Sequence, residues 1–142
     1  MTPDALFQIA NTTALLGWAV LLGSPLFPTV ADRIASLAIP LLLSVAYAGL
    51  ILAFWARGEG GFDSLDNVAR LFQTRELLLA GWIHYLAFDL FVGAWIVRTG
   101  RRESVAFLLV VPCLVLTFLF GPAGFLTFAA IRAARAGRAA IA

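Results

Sequence analysis

Residues 77–97 read LLLAGWIHYLAFDLFVGAWIV, and this stretch decides the class of fold. It is long enough to cross a bilayer as one helix, because a span needs about 20 apolar residues. His84 and Asp89 lie near its middle. An ionisable group at that depth costs at least about 2.5 kcal/mol on insertion scales, so each needs a partner, a water-lined cavity or a neutral form. The pair therefore indicates a functional site.

The composition of the whole chain agrees with a membrane protein. Of its 142 residues, 62% are hydrophobic and 13% are charged, whereas soluble domains carry about 25% charged residues. The mean hydropathy is +0.95. The ten basic residues, all arginine, lie in short flanks between apolar segments rather than on one face. This distribution does not indicate nucleic-acid binding.

Four apolar segments predict an all-α integral membrane bundle of four transmembrane helices, folded as a single domain. The predicted spans are about 5–22, 35–55, 77–97 and 105–125, with a loop at 56–76 and a basic C-terminal tail at 129–142. The spacing of Asp66 and Arg70 predicts a short surface helix within the loop. The Phe-Gly-Pro break at 120–124 predicts a bend or an end of the fourth span. Arginines near the span ends favour cytoplasmic termini.

The third span has two distinct faces on a helical wheel. A polar and aromatic arc collects Gly81, Trp82, His84, Tyr85, Phe88, Asp89, Val92, Trp95 and Ile96. The opposite arc, predicted to face lipid, holds Leu79, Ile83, Leu86, Leu90, Ala94 and Val97. His84 and Asp89 are about 140° apart on an ideal helix, so they are expected to flank a site rather than bond directly. Tyr85 is placed to hydrogen-bond Asp89, four residues on.

Polar and aromatic residues on one side of the first and second predicted spans extend the candidate site. The predicted substrate-binding residues are Trp82, Tyr85, Phe88, Trp95, Gln8, Asn11 and Tyr47. The competing interpretation is structural, because polar groups in membranes also hold helices together, at about 0.6 to 2 kcal/mol per hydrogen bond. A neutral carboxylic acid at Asp89 and a neutral imidazole at His84 suit proton transfer on an apolar substrate. With Cys113 distant, they form no convincing metal-ligand set, and no cofactor is expected.

Three sequence stretches resemble the neoxanthin-synthase-like family, named for an abscisic-acid deficiency in plants. They are WIH at 82–84, DLFVGAWI at 89–96 and LFGPAG at 119–124. The resemblance implies opening of a carotenoid epoxide to an allene without net redox change. It makes Asp89 the acid that protonates the epoxide oxygen and His84 the base that removes a proton from the adjacent chain carbon. The expected partner is a carotenoid or another apolar polyene lipid, within the lipid bilayer.

The chain departs from the plant members of that family in ways that leave its substrate open. It begins almost at once with a span and uses arginine alone, which favours a bacterial inner-membrane protein. Three functions compete: a carotenoid or polyprenoid isomerase or its accessory, a non-catalytic pigment- or lipid-binding scaffold, and a small proton-coupled transporter. Small residues such as Gly17, Gly49 and Gly93 also allow a homo-oligomer.

Overall fold

The computed structural model describes residues 1–139, which form helices and connecting loops with no strand among them. The helices are α1 (Pro3–Leu22), α2 (Pro28–Arg33), α3 (Ile39–Phe54), α4 (Leu65–Leu71), α5 (Arg75–Arg102), α6 (Phe107–Phe120) and α7 (Pro122–Ala139). A π-helical turn, Ile34–Ala38, joins α2 to α3, so this part of the chain is continuously helical. Pro40 follows closely on this π-helical turn, since a proline inside a helix removes a backbone hydrogen bond and disturbs the preceding turn. The predicted all-α class is confirmed.

Within residues 1–139, three helical segments are long and apolar enough to cross a membrane. They are Pro3–Leu22, Pro28–Arg57 and Arg75–Arg102, of 20, 30 and 28 residues. These correspond to the first three predicted spans. Within the loop between the second and third, Ser64 caps α4 by accepting a hydrogen bond from the Asn67 N–H at 3.2 Å. The short surface helix predicted around Asp66 and Arg70 is therefore confirmed.

Helix α5 lies at the centre, with α1, α3 and α6 packed around it. An ion pair between Asp4 and Arg75 joins the starts of α1 and α5, so these two helices run in the same direction. At the other end, Arg98 lies 3.5 Å from Asp32 of α2, so α3 runs antiparallel to α5. We call the two ends of the bundle the Arg75 end and the Arg102 end.

The buried face of α5 is the reverse of the predicted one. The arc expected to face lipid is buried, with exposed fractions between 0 and 7% for Leu79, Ile83, Leu86, Leu90, Ala94 and Val97. Trp82 and Phe88, on the polar and aromatic arc, are 40% and 55% exposed. The prediction failed because lipid is as apolar as leucine, so close packing rather than hydrophobicity selects the interior face. The approach of Gly93 to the Trp18 ring on α1 is one such contact.

In place of the single span predicted at 105–125, the structure has two helices that form a hairpin. Helix α6 ends at Phe120 after 14 residues. Gly121 follows with φ of +50°, and Pro122 begins α7, which packs back against α6. The physical reason is local: a residue before proline avoids the α region, and glycine tolerates positive φ. Four continuous spans are therefore not confirmed.

The hairpin brings α7 back to the Arg102 end of the bundle. Arg132 Nε donates a hydrogen bond to Glu103 Oε2 at 2.7 Å, and Arg135 donates to the carbonyl of Ser104 at 3.2 Å. The Asp4 carboxylate lies at the Arg75 end, so the two termini of the described chain lie at opposite ends. The sides of a membrane on which the two termini lie stay a prediction. The predicted basic tail continues α7 to residue 139, and its last three residues lie outside the described part.

The Glu103 and Arg132 pair predicts a pH dependence of stability. The hydrogen bond from Arg132 lowers the pKa of the Glu103 carboxyl from its ordinary value of 4.5. A carboxyl whose folded-state pKa is depressed stabilises the fold above its unfolded pKa and loses that contribution as the pH falls through the folded value. We expect the unfolding temperature in mild detergent to fall below about pH 4.5. In Glu103→Gln this part of the pH dependence should disappear, and an unchanged profile would contradict the pairing.

Candidate functional site

Two separate clefts open beside α5. The Asp89 cleft lies between α1, α5 and α6 and has a volume of about 310 Å³. Its lining residues are Asn11, Ala14, Leu15, Trp18, Trp82, Tyr85, Leu86, Asp89, Phe118 and Leu119. The His84 cleft lies between α3, α4 and α5, near the Arg75 end, with a volume of about 280 Å³. Aromatic side chains dominate it: Tyr47, Trp55, Phe62 and Phe72, beside His84.

Asp89 is the acidic residue of the first cleft and lies halfway along α5. Its Oδ1 is 2.9 Å from the position that a Cβ atom at Gly121 would occupy, so the carboxyl group packs directly on the hairpin turn. Its Oδ2 is buried and has no hydrogen-bond partner among the described residues. Nor does any described cation form an ion pair with it. A buried carboxylate oxygen without a partner is free to hydrogen-bond a ligand.

The hydroxyl group of Tyr85 lies close to both the hairpin and the Asp89 carboxyl group. It donates a hydrogen bond to the backbone carbonyl of Phe118 at 3.2 Å. That carbonyl would normally accept from the residue four positions on, which is Pro122 and has no N–H. Tyr85 therefore satisfies a carbonyl that the proline leaves free. Its ring still lines the Asp89 cleft.

A second hydrogen-bonded pair joins α1 to α5 at the edge of the cleft. The indole N–H of Trp82 donates to Asn11 Oδ1 at 3.1 Å. The Asn11 side-chain amide in turn donates to the Phe7 carbonyl at 2.8 Å. Both groups of Asn11 are thus occupied, which orients the Trp82 ring along the cleft wall. Asn11 and Trp82 were both predicted to bind substrate, and in the structure they form part of the wall of the Asp89 cleft.

His84 does not share a cleft with Asp89. Its ring stacks on Phe88, with centroids 4.5 Å apart, and meets the Tyr47 ring edge-on at 5.6 Å. The reason is the five-residue spacing, which turns the two side chains to different sides of α5. The structure therefore does not bring together the acid and base predicted from the sequence. Tyr47 accompanies His84, while Phe88 also lines a groove beside α3.

The remaining predicted residues lie away from both clefts. Trp95 packs against Phe125 and Phe128 of α7, with ring centroids 5.5 and 5.7 Å apart. Gln8 is exposed on α1 and lines neither cleft. Phe118 and Leu119 were missed by the sequence reasoning. The signal that points to Phe118 is the proline four residues later, which frees its carbonyl for a partner from another helix.

The structure offers no set of metal ligands in the described part of the chain. No three histidine, cysteine, aspartate or glutamate side chains cluster there. Cys113 is buried, and its thiol donates to the Leu109 carbonyl at 3.3 Å within α6. The chemistry of the Asp89 cleft therefore rests on one carboxyl group, three side chains already hydrogen-bonded (Asn11, Trp82 and Tyr85), and aromatic walls.

The fold and the cleft define a class of protein: a small helical protein with three helices long and apolar enough to cross a membrane, and with a carboxyl group in a mostly apolar cleft. The chain belongs to the ABA deficient 4-like family, whose model matches residues 5–128. Comparison with curated proteins and with solved structures gives no significant match. The family relates to neoxanthin and abscisic-acid biosynthesis. This membership confirms the predicted family resemblance, and the predicted carotenoid-related role is consistent with it.

Proposed function

We propose that the chain is a membrane-embedded isomerase that opens the epoxide of a carotenoid-like lipid in the Asp89 cleft. The observation that carries the proposal is the buried, unpartnered Oδ2 of Asp89 in an otherwise apolar cleft. An oxygenated group on the lipid would supply the missing hydrogen-bond partner. Membership of the ABA deficient 4-like family supports a carotenoid over other lipids.

The shape of the cleft suits one end of such a molecule. Its volume of about 310 Å³ is at the small end of ligand sites, so the rest of a long polyene would lie along the apolar outer surface. Leu15 and Leu119 form the edges of the cleft on α1 and α6 and are 53% and 52% exposed. A lipid dissolved in the bilayer can therefore enter from the side.

The proposed reaction needs one carboxyl group. The protonated Asp89 donates its proton to the epoxide oxygen, and the carbon–oxygen bond breaks to leave a hydroxyl group and a carbocation. The resulting Asp89 carboxylate then removes a proton from the adjacent chain carbon, whose bonding electrons form the new double bond of the allene. Atoms and electrons balance without an oxidant, and the enzyme recovers its proton. Trp18 and Trp82 line the cleft, and their aromatic rings would stabilise the cation.

The proposal assigns no step to His84, because its cleft is separate. This differs from the two-residue mechanism that the family resemblance implies. The site residues of the proposal are Asp89 as acid and base, with Trp18, Trp82 and Tyr85 as walls. A pigment-binding scaffold remains the second candidate function, since the same cleft would hold a lipid without changing it.

The test is turnover in a host that makes an epoxy-carotenoid. The protein would be purified in mild detergent and extracted with organic solvent, and the extract compared by chromatography, absorbance and mass. We expect a bound polyene that changes retention and absorbance at constant mass. Narrowing the cleft mouth with Leu119→Trp should reduce both bound pigment and product severalfold.

The matched control is Leu108→Trp, the same substitution on the same helix. Leu108 is 85% exposed and lines neither cleft, so pigment and product should match the wild type. Bound but unaltered pigment would favour the scaffold over the isomerase. Equal loss in both variants, or no pigment in any preparation, would contradict the assignment of the Asp89 cleft.

A further inference from the structure

The turn of the α6 and α7 hairpin lies at the middle of the bundle. Gly121 packs on Asp89, which is midway between Arg75 and Arg102 at the two ends of α5. Helix α6 has 14 residues, so its length of about 21 Å falls short of the roughly 30 Å of a hydrocarbon core. If α5 crosses the membrane, the hairpin turn therefore lies near the bilayer midplane.

The backbone of the turn is suited to that depth. Gly121 is buried, and its N–H donates to the Thr117 carbonyl at 2.8 Å. Its own carbonyl accepts from the Gly124 N–H at 3.2 Å, and Tyr85 satisfies the Phe118 carbonyl. Irregular backbone at membrane depth is tolerated only where it is buried in protein or lines a cavity. Gly121 meets that condition, while its neighbours Phe120 and Pro122 are exposed.

Helices α6 and α7 both extend from the turn to the Arg102 end and expose apolar side chains along their length. Leu108 on α6, Phe120 at the turn and Leu126 on α7 are 85%, 63% and 70% exposed. The first charged side chain on α7 is Arg132, which pairs with Glu103 at the Arg102 end. The surface of the hairpin is therefore apolar up to the level at which the third span ends.

We infer that α6 and α7 form a re-entrant hairpin, that the chain crosses the membrane three times, and that the Arg102 end is cytoplasmic. Because α7 folds back along α6, the arginines whose side chains are described are divided unequally between the two ends of the bundle. The Arg102 end carries six, Arg33, Arg98, Arg101, Arg102, Arg132 and Arg135, and the Arg75 end carries three, Arg57, Arg70 and Arg75. Arginine-rich flanks remain in the cytoplasm. The N-terminus then lies on the other side, and the Asp89 cleft lies at the depth of the lipid chain ends.

The test is sided labelling of single cysteines in the full-length protein. In a Cys113→Ala parent, Leu26→Cys marks the Arg102 end, Ala69→Cys marks the Arg75 end, and Ala136→Cys reports on α7. A membrane-impermeant maleimide would be applied to right-side-out and inside-out bacterial vesicles. We expect Ala136→Cys and Leu26→Cys to label severalfold more in inside-out vesicles, and Ala69→Cys to label severalfold more in right-side-out vesicles.

Labelling of Ala136→Cys together with Ala69→Cys would overturn the hairpin and restore a continuous fourth span. The reverse sidedness for all three would overturn the cytoplasmic assignment. A fluorophore at Phe120→Cys separates a re-entrant turn from one on the surface: we expect quenching by lipids brominated deep in their chains, and quenching by a water-soluble quencher instead would overturn the inference. The test needs no ligand, so it is independent of the proposed isomerase.

Discussion

Replacing Gly124 by alanine should prevent α6 and α7 from closing into the observed hairpin. A Cβ atom at this position would overlap the Thr117 side chain and the backbone of Cys113 and Thr117. Two of these three contacts are backbone atoms that cannot rotate away, so the helices would have to separate. Overfilled cores lose about 1 to 3 kcal/mol, and sometimes more. We expect a large fall in the unfolding temperature and in monodisperse protein in detergent.

Gly137→Ala is the matched control for this substitution, since it makes the same change in the same helix. A Cβ atom at Gly137 would meet nothing within 4 Å. Alanine is also a better helix former than glycine by about 1 kcal/mol, so this variant should be as stable as the wild type or slightly more so. If Gly124→Ala unfolded at the wild-type temperature, the close contact between α6 and α7 would be wrong.

Asp89→Asn should abolish product formation while leaving the lipid bound. Asparagine has the size of aspartate and fits beside Gly121 equally well, but it cannot transfer a proton to an epoxide. General acid and base groups contribute about 10² to 10⁴ in rate, so we expect a loss of at least about 10²-fold in product with pigment retained. The measurement is the chromatographic and absorbance comparison of solvent extracts described above.

His84→Ala distinguishes the one-residue mechanism from the acid and base pair implied by the family resemblance. Because His84 lies in its own aromatic cleft, this variant should keep product formation within a few-fold of the wild type. Equal loss of product in His84→Ala and Asp89→Asn, both with bound pigment, would favour the two-residue mechanism. Full activity of Asp89→Asn would reject Asp89 as the acid.

The helices themselves were predictable because their signals are local. The apolar runs that contain α1, α3 and α5 were long enough to be predicted from composition alone. The helical segments that they form have the length and hydropathy of membrane spans. The pairing of Gly121 with Pro122 marked the end of α6 for a similar reason, since each restricts the backbone beside it. The Gly121–Pro122 sequence did not predict the direction of α7 relative to α6.

The candidate site was only partly predictable. Asp89, Trp82 and Asn11 were recognised as polar groups in apolar segments, and they do meet in one cleft. Leu119 and Phe118 were missed, because nothing in their own segment shows that α6 will fold against α5 at that level. His84 and Asp89 were expected to flank one site from about 140° apart on the helix, but the structure places them in two different clefts.

The sequence by itself determined that this is an all-helical, largely apolar chain, approximately where its first three long helical segments lie, and which ionisable residues lie in apolar segments. These properties depend on hydropathy and backbone preference within a few turns of one segment. Only the tertiary structure decided which face of α5 is buried, which cleft holds Asp89, and that α7 returns to the Arg102 end. Those outcomes depend on shape complementarity between helices distant in sequence, since in an apolar solvent hydrophobicity no longer separates the inside from the outside.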